Sequence, residues 1–108
     1  YTLADKTDRL QEAKDYIERA LSMKPDSPAI LDSMGWVQFR LGNLSQALEY
    51  LEQAAQLSPD AEIASHLGEV LWMLGESDRA KAVWNAAQEA DPDNRFIPKV
   101  RQRLGVTE

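Results

Sequence analysis

His66 is the only imidazole in this 108-residue chain. An imidazole is the side chain most used for proton transfer near neutral pH. With Asp32 and Ser33 it supplies the residue types of a hydrolytic triad. The chain has no oxyanion-hole motif and no strained nucleophile turn to go with them. Metal ligation needs partners at set spacing, and there is no second histidine, no cysteine and no His-Glu-x-x-His. The carboxylate pairs Glu12/Glu18 and Glu49/Glu52 recur at helical spacing on outward faces, where they meet water. Gly35 and Gly42 fall inside and at the end of a helix rather than after a strand, so they form no phosphate loop. These patterns predict no enzyme, no metal and no cofactor, and leave His66 a structural or ligand-contacting role.

The other candidates are aromatic. Within LDSMGWVQFRLGN, residues 31–43, a helix places Leu31, Met34, Gly35, Gln38 and Leu41 on one face. Trp36 and Phe39 sit about 80 to 140° round from Leu31 at 100° per residue. Two large apolar side chains therefore lie off the core stripe, and the elements around them must explain why.

Those elements repeat. A shift of 33 residues superposes Gly35 on Gly68, Leu41 on Leu74, Gly42 on Gly75, Ala47 on Ala80, Ala54 on Ala87 and Pro59 on Pro92. Ile30/Ile63, Val37/Val70 and Asp60/Asp93 also coincide. Average residue usage would give about two such identities by chance. A shift of 34 places Leu10, Ala13, Tyr16, Ala20 and Pro25 on Leu44, Ala47, Tyr50, Ala54 and Pro59. The unit thus occurs twice in full, at 27–60 and 61–93, behind a truncated copy at 1–26.

Each unit reads as two helices. Ser27 caps the first, with Pro28 at its first position, and Gly42 ends it near Leu41. Asn43 is placed to cap the second helix, with Gln46 three residues later, and that helix stops near Leu57 before Ser58-Pro59-Asp60. The next unit predicts helices over 61–74 and 77–90. The first copy predicts a helix over 8–23 after an extended turn at ADKTDRL. A last helix over 94–104 carries Phe96, Val100 and Leu104 on one side and Arg101 and Arg103 on the other, and reads as a cap over 94–105. Gly35, Gly68, Ala47, Ala54, Ala80 and Ala87 let antiparallel helices approach closely. Leu31, Met34, Leu51, Leu67, Leu71 and Trp84 fill the space around them.

The spacings Gly35–Gly42 and Gly68–Gly75, the series Ala47-Leu51-Ala54 and Ala80-Trp84-Ala87, and the closing prolines resemble the tetratricopeptide repeat family. The resemblance covers about residues 1–93 and implies a single all-α domain over 1–108, a right-handed α-solenoid of antiparallel helix pairs with a C-terminal capping helix. Gln38 departs from the pattern, standing where the family prefers an aromatic. The phrases ILDSMGWVQFRLG and ASHLGEVLWMLGESDRAKAVW resemble the C-terminal repeats of large envelope lipoproteins of Gram-negative bacteria. That resemblance implies an adaptor on the periplasmic face of the outer membrane, bringing envelope proteases or cell-wall enzymes to their substrates.

In this family the first helix of each unit lines the concave surface. The off-core face then holds Asp32, Trp36, Phe39 and Arg40, followed one unit later by Glu62, His66, Glu69, Trp72 and Met73. Such a patch anchors a protein or peptide segment by aromatic area and orients it by charge at the rim. The alternatives are packing of the aromatics against neighbouring repeats and self-association through exposed repeat edges. Family members that grip a C-terminal carboxylate use Asn and Lys/Arg on this face. Here the acidic and aromatic residues favour a basic or apolar segment.

The bulk numbers agree with an interaction module. Residues 1–92 hold 8 Lys/Arg against 16 Asp/Glu, residues 93–108 hold 4 against 2, and the net charge is -6. An acidic body argues against nucleic acid, whose phosphates require a basic footprint. No apolar run approaches the roughly 20 residues of a membrane span. The chain opens at Tyr1 with no initiator Met, which predicts a piece of a longer protein, with any targeting segment beyond it.

Overall fold

Ser27 is extended, and its hydroxyl accepts a hydrogen bond from the Ile30 amide at 3.4 Å. Pro28 follows at the first helical position, where a missing N–H costs nothing, and a helix starts there. Asp60 does the same work one unit later, its carboxylate accepting from the Glu62 amide at 2.7 Å. Gly42 and Gly75 then take positive φ of 88° and 86°, the left-handed turn that ends each first helix and admits a second.

The computed structural model describes residues 3–106. Tyr1, where the sequence predicts structure already under way, lies outside them. Six helices are found among the described residues: α1 (Leu3–Met23), α2 (Pro28–Arg40), α3 (Leu44–Leu57), α4 (Ala61–Met73), α5 (Ser77–Ala90) and α6 (Phe96–Leu104). The predicted turn at ADKTDRL is instead the first part of α1.

Consecutive helices are neighbours in the stack, and α2 and α3 make the most extensive contact. Across the stack α2 reaches α4 and α4 reaches α6, while α3 and α5 do not approach closely. The stack is therefore tighter on the side of α2, α4 and α6, and that side is the concave one. The architecture is all-α and solenoidal, as expected.

Gly35 and Gly68 set the helix separations. A methyl group on Gly35 would fall 2.6 Å from Leu51 Cγ, and one on Gly68 would fall 2.0 Å from Trp84 Nε1. Both are shorter than any carbon contact, so each second helix rests on a first helix at a point where no side chain fits. Leu31, Met34, Leu51, Leu71 and Trp84 are fully enclosed around these contacts. Ala47, Ala54 and Ala80 are buried as well.

Two local expectations are corrected. Asn43 does not cap α3 with its side chain. Its amide donates to Gln38 Oε1 at 2.7 Å, because Gln38 is buried and its oxygen needs a donor. On α6 the inward face is Ile97, Val100 and the half-buried Leu104, whereas Phe96 is 44% exposed. Val100 and Leu104 face inward as expected, with Ile97 in place of Phe96, and Asn94 Oδ1 accepts from the Ile97 amide at 2.8 Å at the start of that face.

Candidate partner-binding face

Asp32 sits in the second turn of α2 and His66 in the second turn of α4. The two meet across the concave side with Nδ1 2.8 Å from Oδ1. A carboxylate only accepts, so His66 Nδ1 carries the proton and donates it. This bond fixes the ring, and the ring stacks on Trp36 with centroids 4.3 Å apart and planes 27° apart. Trp36 stacks in turn on Phe39 at 4.8 Å and 23°. All four residues are partly accessible to solvent. The result is a continuous plate of two aromatic rings and an imidazole, anchored at one edge by a carboxylate.

The plate presents aromatic contact area. Ser33 is exposed, and among the described residues no hydrogen bond joins it to His66. The Ser65 hydroxyl turns back to the Glu62 carbonyl at 2.7 Å. Aromatic rings of this size that stay partly exposed gain by being covered.

Beside the plate a cleft of about 460 Å³ opens between the N-terminal ends of α2 and α4. Asp32, Asp60 and Glu62 line it together with Ser27, Ser58 and Ile63. It holds three carboxylates and no basic side chain. At the other end of α2, Arg40 is exposed in the last turn, and Met73 is exposed at the matching end of α4.

Glu69 and Trp72, expected on the same face, also reach toward α6 and α5. Glu69 is 4% exposed. It receives two hydrogen bonds from Arg103 of α6, at 2.9 and 2.5 Å. Those bonds hold the Arg103 guanidinium above its ordinary pKa. Trp72 leans on Trp84 with centroids 6.0 Å apart, and Arg101 lies 5.9 Å from the Trp84 ring. The capping helix therefore covers Glu69; on the rest of the concave face Arg40, Glu62 and Met73 are exposed, and Asp32, Trp36, Phe39, His66 and Trp72 are half-buried, with Phe39 and Trp72 both resting on the core.

The sequence reading of this face does not include Arg103, although its spacing carries a signal for it. Asp32–His66 and Glu69–Arg103 are each separated by 34 residues, one repeat length. Cross-helix partners in a solenoid recur at the period, so opposite charges one period apart on neighbouring first helices are candidate pairs.

Comparison with known proteins follows the same geometry. One tetratricopeptide repeat family model matches residues 3–72, and a second matches residues 61–94. TPR repeat-containing protein PA4667 of Pseudomonas aeruginosa is 48% identical over 69 residues, 64% of this chain. The chain spans only 12% of the length of that relative. The first TPR of Spaghetti (RPAP3), solved with the HSP90 peptide SRMEEVD, superposes with a TM-score of 0.77 at 22% identity. That match covers 93% of this chain and 83% of the other. MamA superposes at 0.70 and 23% identity, over 94% of this chain and 58% of its own.

Proposed function

The chain belongs to the tetratricopeptide repeat family, and from that premise we propose that it is a non-enzymatic module that holds a peptide or protein segment on its concave face. The observation that carries the reading is the plate of Trp36, Phe39 and His66, partly open to solvent beside an acidic cleft. Half-covered aromatic area in a rigid frame is where binding energy concentrates. The solved neighbour with a bound HSP90 peptide supports peptide binding by this fold in general. The acidic residues on the face here argue for a different ligand charge.

The reading extends to an adaptor. In it, residues 1–26, 27–60 and 61–93 with the cap at 94–105 form one stack within a longer protein. That protein works at the periplasmic face of the outer membrane and recruits an envelope protease or cell-wall enzyme. The resemblance to envelope repeat proteins supports this extension.

The test is capture from bacterial envelope extract. Immobilised wild type and a Trp36→Ala/Phe39→Ala variant are exposed to the extract and the retained proteins identified by mass spectrometry. Circular dichroism first checks that the variant is helical. A protein retained by wild type and lost by the folded variant supports the reading. Identical retention by both, or none by either, moves the function off this face.

A second reading is self-association through α1. Ala13, Ile17 and Ala20 of α1 stand in register with Ala47, Leu51 and Ala54 of α3, which are fully buried. In α1 the same positions are only half-buried, and Tyr16 is 73% exposed. Sedimentation equilibrium across a hundredfold concentration range separates the two readings, because only self-association makes the mass rise with concentration.

A further inference from the structure

The open concave face is ordered by charge along α2. Asp32, Trp36 and Arg40 follow one another at intervals of four residues, so they form one stripe of the helix. Each interval is about 6 Å of helical rise. In an extended chain, side chains on one side recur every second residue, about 6.6 Å apart. The two pitches agree within less than an ångström per step. Three alternate side chains of an extended segment therefore reach three successive points of this stripe. The acidic end is reinforced by Asp60 and Glu62 across the cleft. The opposite end carries Arg40, which makes no ion pair among the described residues.

Resting on the peptide-groove reading, we infer that the partner segment carries a mixed-charge pattern: a basic residue, an apolar residue and an acidic residue at alternate positions, in either chain direction. The basic group enters the cleft of Asp32, Asp60 and Glu62. The apolar group covers Trp36. The acidic group meets Arg40. The N-terminal ends of α2 and α4 oppose a cation in the cleft by about half a positive charge each, and three carboxylates outweigh that. The His66 hydrogen bond engages one carboxylate oxygen of Asp32, Oδ1. A chain of net charge -6 would by its overall field favour an all-basic segment. The order along α2 asks for something narrower, and the difference is measurable.

The experiment titrates the ¹⁵N-labelled chain with three blocked peptides: acetyl-Gly-Ser-Arg-Ser-Leu-Ser-Glu-Ser-Gly-amide, the same peptide with Glu at both charged positions, and the same with Arg at both. The reporter is the Trp36 indole N–H, with the enclosed Trp84 indole as an internal control. The mixed peptide is expected to bind roughly five-fold or more tighter than either single-sign peptide, the scale of a rim charge match. In an Arg40→Glu variant the all-basic peptide becomes the tightest. Equal or tighter binding of the all-basic peptide to wild type overturns the inference, as does an unchanged ranking in Arg40→Glu. If all three peptides move Trp36 equally, the charge order is wrong and the aromatic groove stands. If none moves Trp36, the inference and the groove reading both fall.

Discussion

Trp36 and Glu69 occupy the same position in the two complete repeats, and the fold uses them in opposite ways. In the repeat 27–60 the position carries an aromatic side chain partly open to solvent, stacked on Phe39 and His66. In the repeat 61–93 it carries a carboxylate that is buried and clasped by Arg103. The second helices show the converse. Leu51 fills the seat above Gly35, whereas Trp84 fills the larger seat above Gly68. The C-terminal repeat has drawn its aromatic mass inward and is closed by α6. The N-terminal one keeps Trp36 half-buried on the concave side, stacked on Phe39 and His66. A repeat scaffold can thus bury a side chain in one unit and leave its counterpart at the surface in the next, because each position meets only its immediate neighbours.

The sharpest way to break this contrast is to empty the inner seat. Trp84→Ala should destabilise the chain by about 3 to 5 kcal/mol, since the indole is fully enclosed and α4, α5 and α6 would lose a common contact. Trp36→Ala should cost under about 1 kcal/mol, the range of substitutions away from the core. Urea unfolding followed by circular dichroism measures both, and similar losses would end the division between the enclosed and the surface aromatic.

The glycines give the next effect. Helix propensity favours alanine over glycine by about 1 kcal/mol. At Gly68 the added methyl meets the Trp84 ring at 2.0 Å, and overpacking of about 1 to 3 kcal/mol outweighs the gain. At Gly35 the contact is 2.6 Å from Leu51, an aliphatic side chain with rotamers to use. Thermal melts should show Gly68→Ala clearly destabilised and Gly35→Ala less so. The reverse order would mean that α5 shifts more readily than Leu51 turns.

Removing the clasp is expected to matter less. Arg103→Ala leaves Glu69 buried without its partner, but Arg103 is 57% exposed and water reaches its former place. About 1 to 2 kcal/mol is lost, below the range for fully buried pairs. The raised pKa of Arg103 gives the sign with pH. The contribution is complete below the ordinary arginine pKa and declines only as pH rises through the folded value, far into alkali. Stability of wild type relative to Arg103→Ala should therefore not vary with pH on the arginine side between pH 7 and 10.

The smallest effect separates the two helix starts. Asp60→Ala removes a working cap and should cost about 1 kcal/mol. Asn43→Asp retains an acceptor at the start of α3 but removes the donor to Gln38 Oε1. Urea midpoints should place Asn43→Asp near Asp60→Ala in cost. A stabilising Asn43→Asp would show that capping, not the Gln38 bond, decides this junction.

What was legible from the chain was local. Ser27-Pro28, Gly42, Gly75 and Asp91-Pro92 mark helix ends because capping and left-handed φ depend on a few neighbouring residues. The period near 34 carried the stack, and the small residues at Gly35, Gly68, Ala47 and Ala80 carried the contacts within it. Several choices needed the third dimension. Asn43 could cap α3 or satisfy Gln38, and the burial of Gln38 decided it. Phe96 and Ile97 flank the inner face of α6, and the packing of α6 on the stack buries Ile97 and leaves Phe96 exposed. Glu69 is indistinguishable in type from Glu62, yet one is buried under Arg103 and the other lies open beside the cleft. The stack of His66 on Trp36 likewise joins residues 30 apart. Helix periodicity and caps are written in neighbouring residues, so they survive in the linear order. Which of two equivalent carboxylates is covered depends on how far α6 leans toward α4. That lean is the sum of many weak contacts between distant segments, and only the assembled stack decides it.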